Sequence, residues 1–409
     1  MLRSMDDAVS GMQAHQQWLD VIGNNIANVS TPGFKASNVT FEQLFAQTLA
    51  AGGAPTQTQG GVDPSQVGLG VGVGAITPDL SQGALQTTGS PTDLALQGAG
   101  YFLLDRGAQG TGYTRVGNFG FDAVGNLVDK ATGDRVQGWL ADTKGVLPTA
   151  SAGTLSDITI PQNSPVAPQA TSKVSMVGNL DAATPTGAPG VQVPLKVYDS
   201  LGNPVTVTLT LEQTAPDNWQ WTATGSGGTT GSGAFSFKTD GTFGQVTTPG
   251  TITLTPTDGA APMTLTPDFS ALTQDAASTT VNLGTQDGYA AGTLQGISVD
   301  SGGVITGTFS NGLRQTLGRV AVATFANPAG LLAQGQGIFT QGNDSGVASV
   351  GGPGAGGAGT VVSGSLEGSN VDLAAQFTAM IAAQSGFQAN ARVVSVDNQI
   401  LQTLVQLGQ

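Results

Sequence analysis

The side chains that could do chemistry are few and far apart in the sequence. His15 is the single histidine of the 409-residue chain. A Ser–His–Asp arrangement would have to bring it from the N-terminal segment to Asp344-Ser345-Gly346, where Asn343 stands in place of the glycine expected before the aspartate. Asp122, Asn126, Asp129 and Asp134 offer oxygen ligands of the kind a calcium loop uses. Their spacing does not follow the Asp-x-Asn/Asp-x-Asn/Asp-Gly order, and hairpin turns account for them better. Gly68-Leu69-Gly70-Val71-Gly72-Val73-Gly74 fails the Gly-x-Gly-x-x-Gly spacing because position 73 is valine, and no Gly-Lys-Ser/Thr phosphate loop exists. Cysteine is absent, which excludes disulfides, thiol catalysis and thiolate-bound metals. These residues predict no enzyme, no cofactor and no metal centre.

The elements that carry those residues point to assembly instead. Leu373, Met380, Phe387, Val394 and Leu401 recur every seventh residue. Phe377, Gln384, Ala391, Asn398 and Val405 do so on the neighbouring line, which predicts one long helix with a coiled-coil seam. Ser369 and Asp372 have the spacing of a capping box at its start. Between Val371 and Gln409 the only charged residues are Asp372, Arg392 and Asp397. The N-terminus mirrors this. Leu2, Met5, Val9, Met12, Leu19 and Ile26 fall on a heptad seam, Gln16 and Gly23 fill its other positions, and Ile22 and Val29 widen it. Asp6 and Asp7 are expected in the first turns, where they favour the helix dipole. Thr31-Pro32-Gly33-Phe34 predicts a type II turn that ends the helix. Two such helices can pair, yet a pair leaves uncharged outer faces open to water. Further copies of the chain would cover them, and open head-to-tail contacts of that kind build filaments. The bland alternative is that each helix is buried in its own domain.

Composition agrees with a folded, turn-rich β protein. Glycine numbers 62, charged residues are 10% and hydrophobic residues 39% of the chain. The net charge of −14 and the lack of a basic patch argue against nucleic-acid binding. No apolar run has transmembrane length, so no membrane insertion is expected. The N-terminus has no signal-peptide core, which implies either a cytoplasmic location or export without a cleaved signal.

Between the helices, residues 36–75 are expected to be a flexible linker, with helical spacing at Phe41, Leu44, Phe45 and Leu49 and a Gly-rich crossover after it. Residues 76–150 and 288–365 read as one β domain built from two separated segments. Residues 151–287 read as an inserted outer β domain. In it, Val191, Val193, Leu195 and Val197 alternate with polar residues, as do Val205, Val207, Leu209 and Leu211 after the turn at 199–204. This predicts a hairpin with one buried face, continued by Trp219 and Trp221. Asp240-Gly241, Asp258-Gly259 and Asn311-Gly312 mark further turns. The fold class expected is mainly β with a terminal α-helical coiled-coil pair (1–35 and 366–409), nested as helix, β, β insert, β, helix.

Several blocks carry a family resemblance. Asn24-Asn25-Ile26-Ala27-Asn28-Val29-Ser30-Thr31-Pro32-Gly33-Phe34-Lys35 resembles the N-terminal signature of bacterial flagellar rod and hook axial proteins. Leu366-Glu367-Gly368-Ser369-Asn370-Val371-Asp372-Leu373 and Gln384-Ser385-Gly386-Phe387-Gln388-Ala389-Asn390-Ala391-Arg392 resemble the closing signature of the same family. Thr114 to Phe119, Asp122 to Leu127 and Ala323 to Leu331 match it in between, while the middle, about 150–287, matches no motif. The resemblance implies a subunit that polymerises into a tube and transmits torque. The large insert favours the curved hook, a universal joint, over the straight distal rod. The resemblance also implies export by the flagellar type III apparatus, contact with rod, hook-cap and hook–filament junction proteins, and no cofactor. A secreted β-rich adhesin or carbohydrate-binding protein would share the composition but has no need of two seamed ends.

Overall fold

The computed structural model describes residues 2–54, 60–148, 154–161, 165–226 and 228–407, with the side chains of Leu2 and Leu407 outside that description. Two helices bracket a β body, α1 (Leu2–Ala27) and α2 (Leu373–Leu407). The cap of α2 differs from the one expected. Asp372 is the capping residue, its Oδ1 accepting from the Ala374 and Ala375 amides at 2.8 and 3.1 Å. Ser369 lies too far upstream because Asn370 is tied down first. Its Nδ2 donates to the Asp79 carbonyl at 2.9 Å and its Oδ1 accepts from the Ala36 amide at 2.8 Å. The first turn of α1 contains no acid; Asp6 and Asp7 stand in the second, among the opening turns where the sequence placed them. The stop of α1 is as expected. Phe34 N–H closes on the Thr31 carbonyl at 3.3 Å with Gly33 at φ +69°, the positive φ that a type II turn demands after proline.

The described residues between 37 and 78 are neither helix nor free linker. β1 (Ser37–Gln43), β2 (Ala46–Ala50), β3 (Ser65–Gly68) and β4 (Val71–Pro78) form a two-stranded ribbon. β1 runs antiparallel to β4 from Ser37↔Pro78 to Gln43↔Val71, and β2 to β3 from Ala46↔Gly68. The glycines explain the pairing. A β-carbon on Gly72 would stand 3.2 Å from Leu44, and one on Gly74 would stand 3.2 Å from Glu42. The bare backbone thus makes room for side chains of the facing strand, which spacing alone could not reveal.

The chain forms two compact units. One comprises residues 1–160, 298–306 and 316–409, the other 161–297 and 307–315. In the first, the strand Tyr101–Asp105 pairs with Thr111–Thr114, with Val322–Thr324 and with Arg135–Leu140, which in turn pairs with the strand Arg314–Val320 through Val320 to Gly318. Early and late segments therefore share one sheet. Its core gathers Tyr101, Leu103, Tyr113, Trp139, Ala321 and Ala323. In the second unit, Val191–Tyr198, Pro204–Ala215, Asn218–Gly225, Gly231–Phe237 and Phe243–Thr248 make a five-stranded antiparallel meander. A four-stranded sheet accompanies it, with Lys173–Asp181 running parallel to Met263–Asp275. The first hairpin has the alternation expected, with Val193↔Leu209, Leu195↔Val207 and Val197↔Val205 in register. These residues, apart from the half-buried Val205, lie in one core with Trp219, Trp221, Phe235 and Phe269, the last two stacked at 4.5 Å.

Candidate functional site: the helix pair and its junction

The helix pair is antiparallel and in constant register. Ser4 Oγ donates to Asp397 Oδ2 at 2.7 Å, and Asn25 Nδ2 donates to Gln376 Oε1 at 3.2 Å. Between them, a β-carbon on Gly11 would lie 2.5 Å from the Asn390 amide, and one on Gly386 would lie 2.5 Å from the His15 imidazole. The two numbers of each pair add to 401. Ser4, Gly11 and Asn25 sit on one heptad line; Gln376, Ala383, Asn390 and Asp397 sit on another. The contact is thus a heptad seam, but each line lies one residue before a line of the seam expected from the sequence, 4, 11 and 25 before 5, 12 and 26, and 376, 383, 390 and 397 before 377, 384, 391 and 398. One residue is about 100° of rotation. Ala8, Ala14, Ile22 and Ala383 are buried along it. Small and polar residues win because each glycine receives a side chain from the other helix, which lets the backbones approach closely.

The large side chains expected in the seam are displaced to its flanks. Leu373, Phe377, Phe387 and Val405 are exposed, Phe377 by 52% and Val405 by 64%. Met380, Val394 and Leu401 are half-buried, as are Met5, Val9, Met12, Leu19 and Ile26; Ile22 alone of that set is buried. Leu2 lies on α1, its side chain outside the described residues. Ile381, Val393, Val396, Ile400 and Leu404 add to the exposed apolar surface of α2.

His15 is a packing residue. Its ring lies 6.1 Å from Trp18 and 5.8 Å from Phe41 of β1, and its Nδ1 is buried without a hydrogen-bond partner. Ser345 is fully buried, its hydroxyl donating to the Gly342 carbonyl at 2.9 Å. Asp122 closes its own turn, Oδ1 accepting from the Val124, Gly125 and Asn126 amides. The Asn126 side chain and backbone hold its carboxyl below the usual range. Among the described residues no three acidic or histidine side chains gather as a metal site.

Where the helices meet the β body, the motif residues form a lock. Asn25 is 1% exposed, donates to the Ser37 carbonyl at 2.9 Å and accepts from the Ser37 amide at 2.9 Å. Gly33 N–H donates to the Glu367 carbonyl at 2.7 Å. The Glu367 carboxylate meets Lys35 at 2.6 Å and Arg115 at 3.3 Å, all three buried. The Arg115 guanidinium also lies 5.3 Å from the centre of the Tyr101 ring. Burial pushes the Tyr101 phenol up, against the opposing pull of Arg115. Removing one partner of a buried pair costs about 3–5 kcal/mol. Lys35, Arg115 and Glu367 stand inside the quoted motifs, yet only the folded chain joins them, since residues 35, 115 and 367 are remote in sequence. Asn28 Nδ2 donates to Asn24 Oδ1 at 2.8 Å, and Thr31 Oγ1 donates to Asn28 Oδ1 at 3.1 Å. Asn24, Asn28, Pro32 and Phe34, with Ile76 and Ile338, line a groove of about 750 Å³. Gln384 is exposed on the outer side of α2.

The comparisons agree with this architecture. Residues 5–35 match the family described as "Flagella basal body rod protein", and 362–407 match "Flagellar basal body rod FlgEFG protein C-terminal". Residues 95–179 match "Flagellar hook protein FlgE/F/G D1 domain". Residues 179–289, where no motif was legible, match "Flagellar basal body protein FlaE D2 domain". The flagellar hook protein FlgE of Treponema pallidum is 38% identical over the whole of both chains. That of Escherichia coli is 33% identical over 99% of this chain and all of its own. The basal-body rod protein FlgG of Bacillus subtilis is 31% identical over all of this chain and 99% of its own. The crystal structure of Helicobacter pylori flagellar hook protein FlgE2 superposes with a TM-score of 0.53 at 15% identity, covering 68% of this chain and 98% of that one. The chain belongs to the flagellar hook and rod axial protein family. It is a structural subunit, not an enzyme, that polymerises into a tube as part of the flagellar hook and basal body, outside the cell.

Proposed function

We propose that the chain is the hook subunit, and that the curved tube it forms carries torque from rod to filament as a universal joint. The observation that carries this reading is the divided surface of α2. Its small-residue line is filled by α1, while Phe377, Ile381, Val396, Ile400 and Leu404 remain exposed. An apolar surface of that extent needs a partner, and a second copy of the chain supplies one. Leu2, Met5, Val9, Met12, Leu19, Ile22 and Ile26, with Leu373, Phe377, Met380, Phe387, Val394, Leu401 and Val405, are the assembly residues. Helix pairs from many copies form the wall of a central channel and resist shear. The β domains make contacts that slide as the tube bends. Partners of this subunit are the rod below, the junction proteins above, the hook cap during growth and the type III export apparatus. End-to-end similarity to hook proteins and the inserted domain matched at 179–289 support the hook reading. The similarity to a rod protein supports a second reading, a straight drive shaft.

Deleting residues 371–409 tests the assembly. The truncated chain is expected to stay soluble with its β domains folded and to form no tubes by negative-stain microscopy. Tubes from the truncation overturn the assignment of the helices, and straight tubes from the intact chain favour the rod.

A further inference from the structure

Phe45 is 85% exposed, the most exposed large apolar side chain among the described residues. It stands where β1 passes into β2, and its backbone is fixed there. The Leu69 amide donates to the Phe45 carbonyl at 2.9 Å, and the Leu44 amide donates to the Gly70 carbonyl at 3.1 Å. The ribbon that carries it is held along α1. Ser37 is bonded to Asn25, the Phe41 ring lies 5.5 Å from that of Trp18, and the Val71 amide donates to Ser10 Oγ at 3.3 Å. Leu44, Leu49, Val67 and Leu69 are exposed on the same stretch of ribbon. No charged residue occurs from Gln43 to Gly53 or from Pro64 to Gly74. A rigid, uncharged apolar knob thus projects from a chain of net charge −14.

The groove at the end of α1 is its counterpart. Asn28, Phe34, Ile76, Val116 and Ile338 line it, as does the exposed Ala333. The hairpin turn beside it holds Gly335, Gln336 and Gly337 at φ +91°, +55° and +74°. A glutamine in the left-handed region persists only where its surroundings fix it. They do so here, since a β-carbon on Gly337 or Gly33 would stand 2.6 or 2.8 Å from Val116 Cγ2, and both turns close on that side chain. The groove is therefore preformed. Among the described residues lining it the one charge, Lys35, is bound by Glu367. Phe45 cannot reach the groove of its own chain. Ser37 lines the groove, and Phe45 stands eight residues further along the ribbon, about 26 Å at 3.2–3.4 Å per residue. Copies of the chain assemble into a tube, so each has neighbours. We propose that Phe45 of one copy seats in this groove of a second copy, shifted by about 26 Å along α1. Chains of like net charge approach at least cost through uncharged surfaces, and an aromatic anchor in a desolvated pocket is the kind of contact that carries association. Knob and groove are different surfaces, so the contact repeats from copy to copy without closing on a pair. It rests on side-by-side packing in the tube and not on the tube being a hook.

The test uses the absence of cysteine, which lets introduced thiols report the contact. Phe45→Cys and Ala333→Cys chains are polymerised together within an excess of the natural chain and then oxidised. A disulfide-linked dimer is expected in polymer that contains both variants, and none in polymer with either alone or in the unassembled mixture. A dimer formed instead between Phe45→Cys and Ile381→Cys seats the knob on the neighbour's α2 and overturns the proposal. Phe45→Glu is expected to lower the polymer yield at least tenfold by sedimentation with the melting curve of the free chain unchanged, and Phe45→Trp to keep most of the yield. Full yield from Phe45→Glu, or tubes in which Phe45→Cys and Ala333→Cys never join, overturns it as well. Straight tubes that carry the dimer remove the hook reading alone, and curved tubes without it remove this contact alone.

Discussion

Gly386 shows how much one missing side chain decides. The His15 ring occupies the place its β-carbon would take, and Asn390 does the same at Gly11 four residues further along the seam. Gly386→Val is expected to destabilise the helix pair by about 1–3 kcal/mol through overpacking. The check is helical circular dichroism on heating, together with the yield of polymer. An unchanged melting curve would show that His15 swings aside freely and that the glycine does not key the pair. The sequence marked Gly386 and Asn390 through a family resemblance but supplied no reason for them. A glycine in a helix reads as a weakness until the side chain that fills its place is known. The Lys35–Glu367–Arg115 lock was hidden for a related reason, because nothing local tells a surface charge from one that will meet its partner hundreds of residues away.

At the scale of elements, the two helices, the end of α1 and the period of seven were all legible. The seam itself was misplaced by one residue. Reading a heptad from hydrophobicity selects the largest apolar side chains, and in this pair those flank the seam. Sequence patterning therefore located the apolar flanks left exposed on α2 more readily than the surface used within the chain. Ile381→Glu and Ile400→Glu are expected to leave the intrachain pair folded, since both side chains are exposed, while lowering the polymer yield at least tenfold. Sedimentation of assembled against free chain reads this directly, and wild-type assembly by both variants would remove α2 from the interface. The ribbon of β1–β4 was misread for a different reason. Four apolar residues at helical spacing look the same in a short strand pair, and the glycines that decided the matter face side chains of the opposite strand.

At the scale of the molecule, the β hairpins of the second unit were legible in detail because one face of each is buried and the alternation has nothing to compete with it. Its parallel pair, Lys173–Asp181 with Met263–Asp275, was not, since strands so distant in sequence share no local signal. The two units should also respond differently to alkali. Tyr101 and Tyr113 both lie in the first unit, and burial raises both phenols, with Arg115 opposing the shift at Tyr101. A raised pKa means the folded state prefers the neutral phenol. That stability is fully present below the unfolded value of about 10 and is lost as pH rises through the folded value. Calorimetry between about pH 8 and pH 11 is expected to show the first unit's transition falling, with a smaller fall in Tyr101→Phe. Equal falls in the two chains would mean that Tyr101 is not responsible.

None of the ion pairs among the described residues joins α1 to α2; the pair is keyed by glycine gaps and short polar contacts. Salt screens charges across roughly 8–10 Å at ordinary ionic strength, and it finds no ion pair to screen in such a seam. A swimming cell that drifts from fresh water into brine changes the medium around its propulsion machinery, but not the fit of one helix against the other.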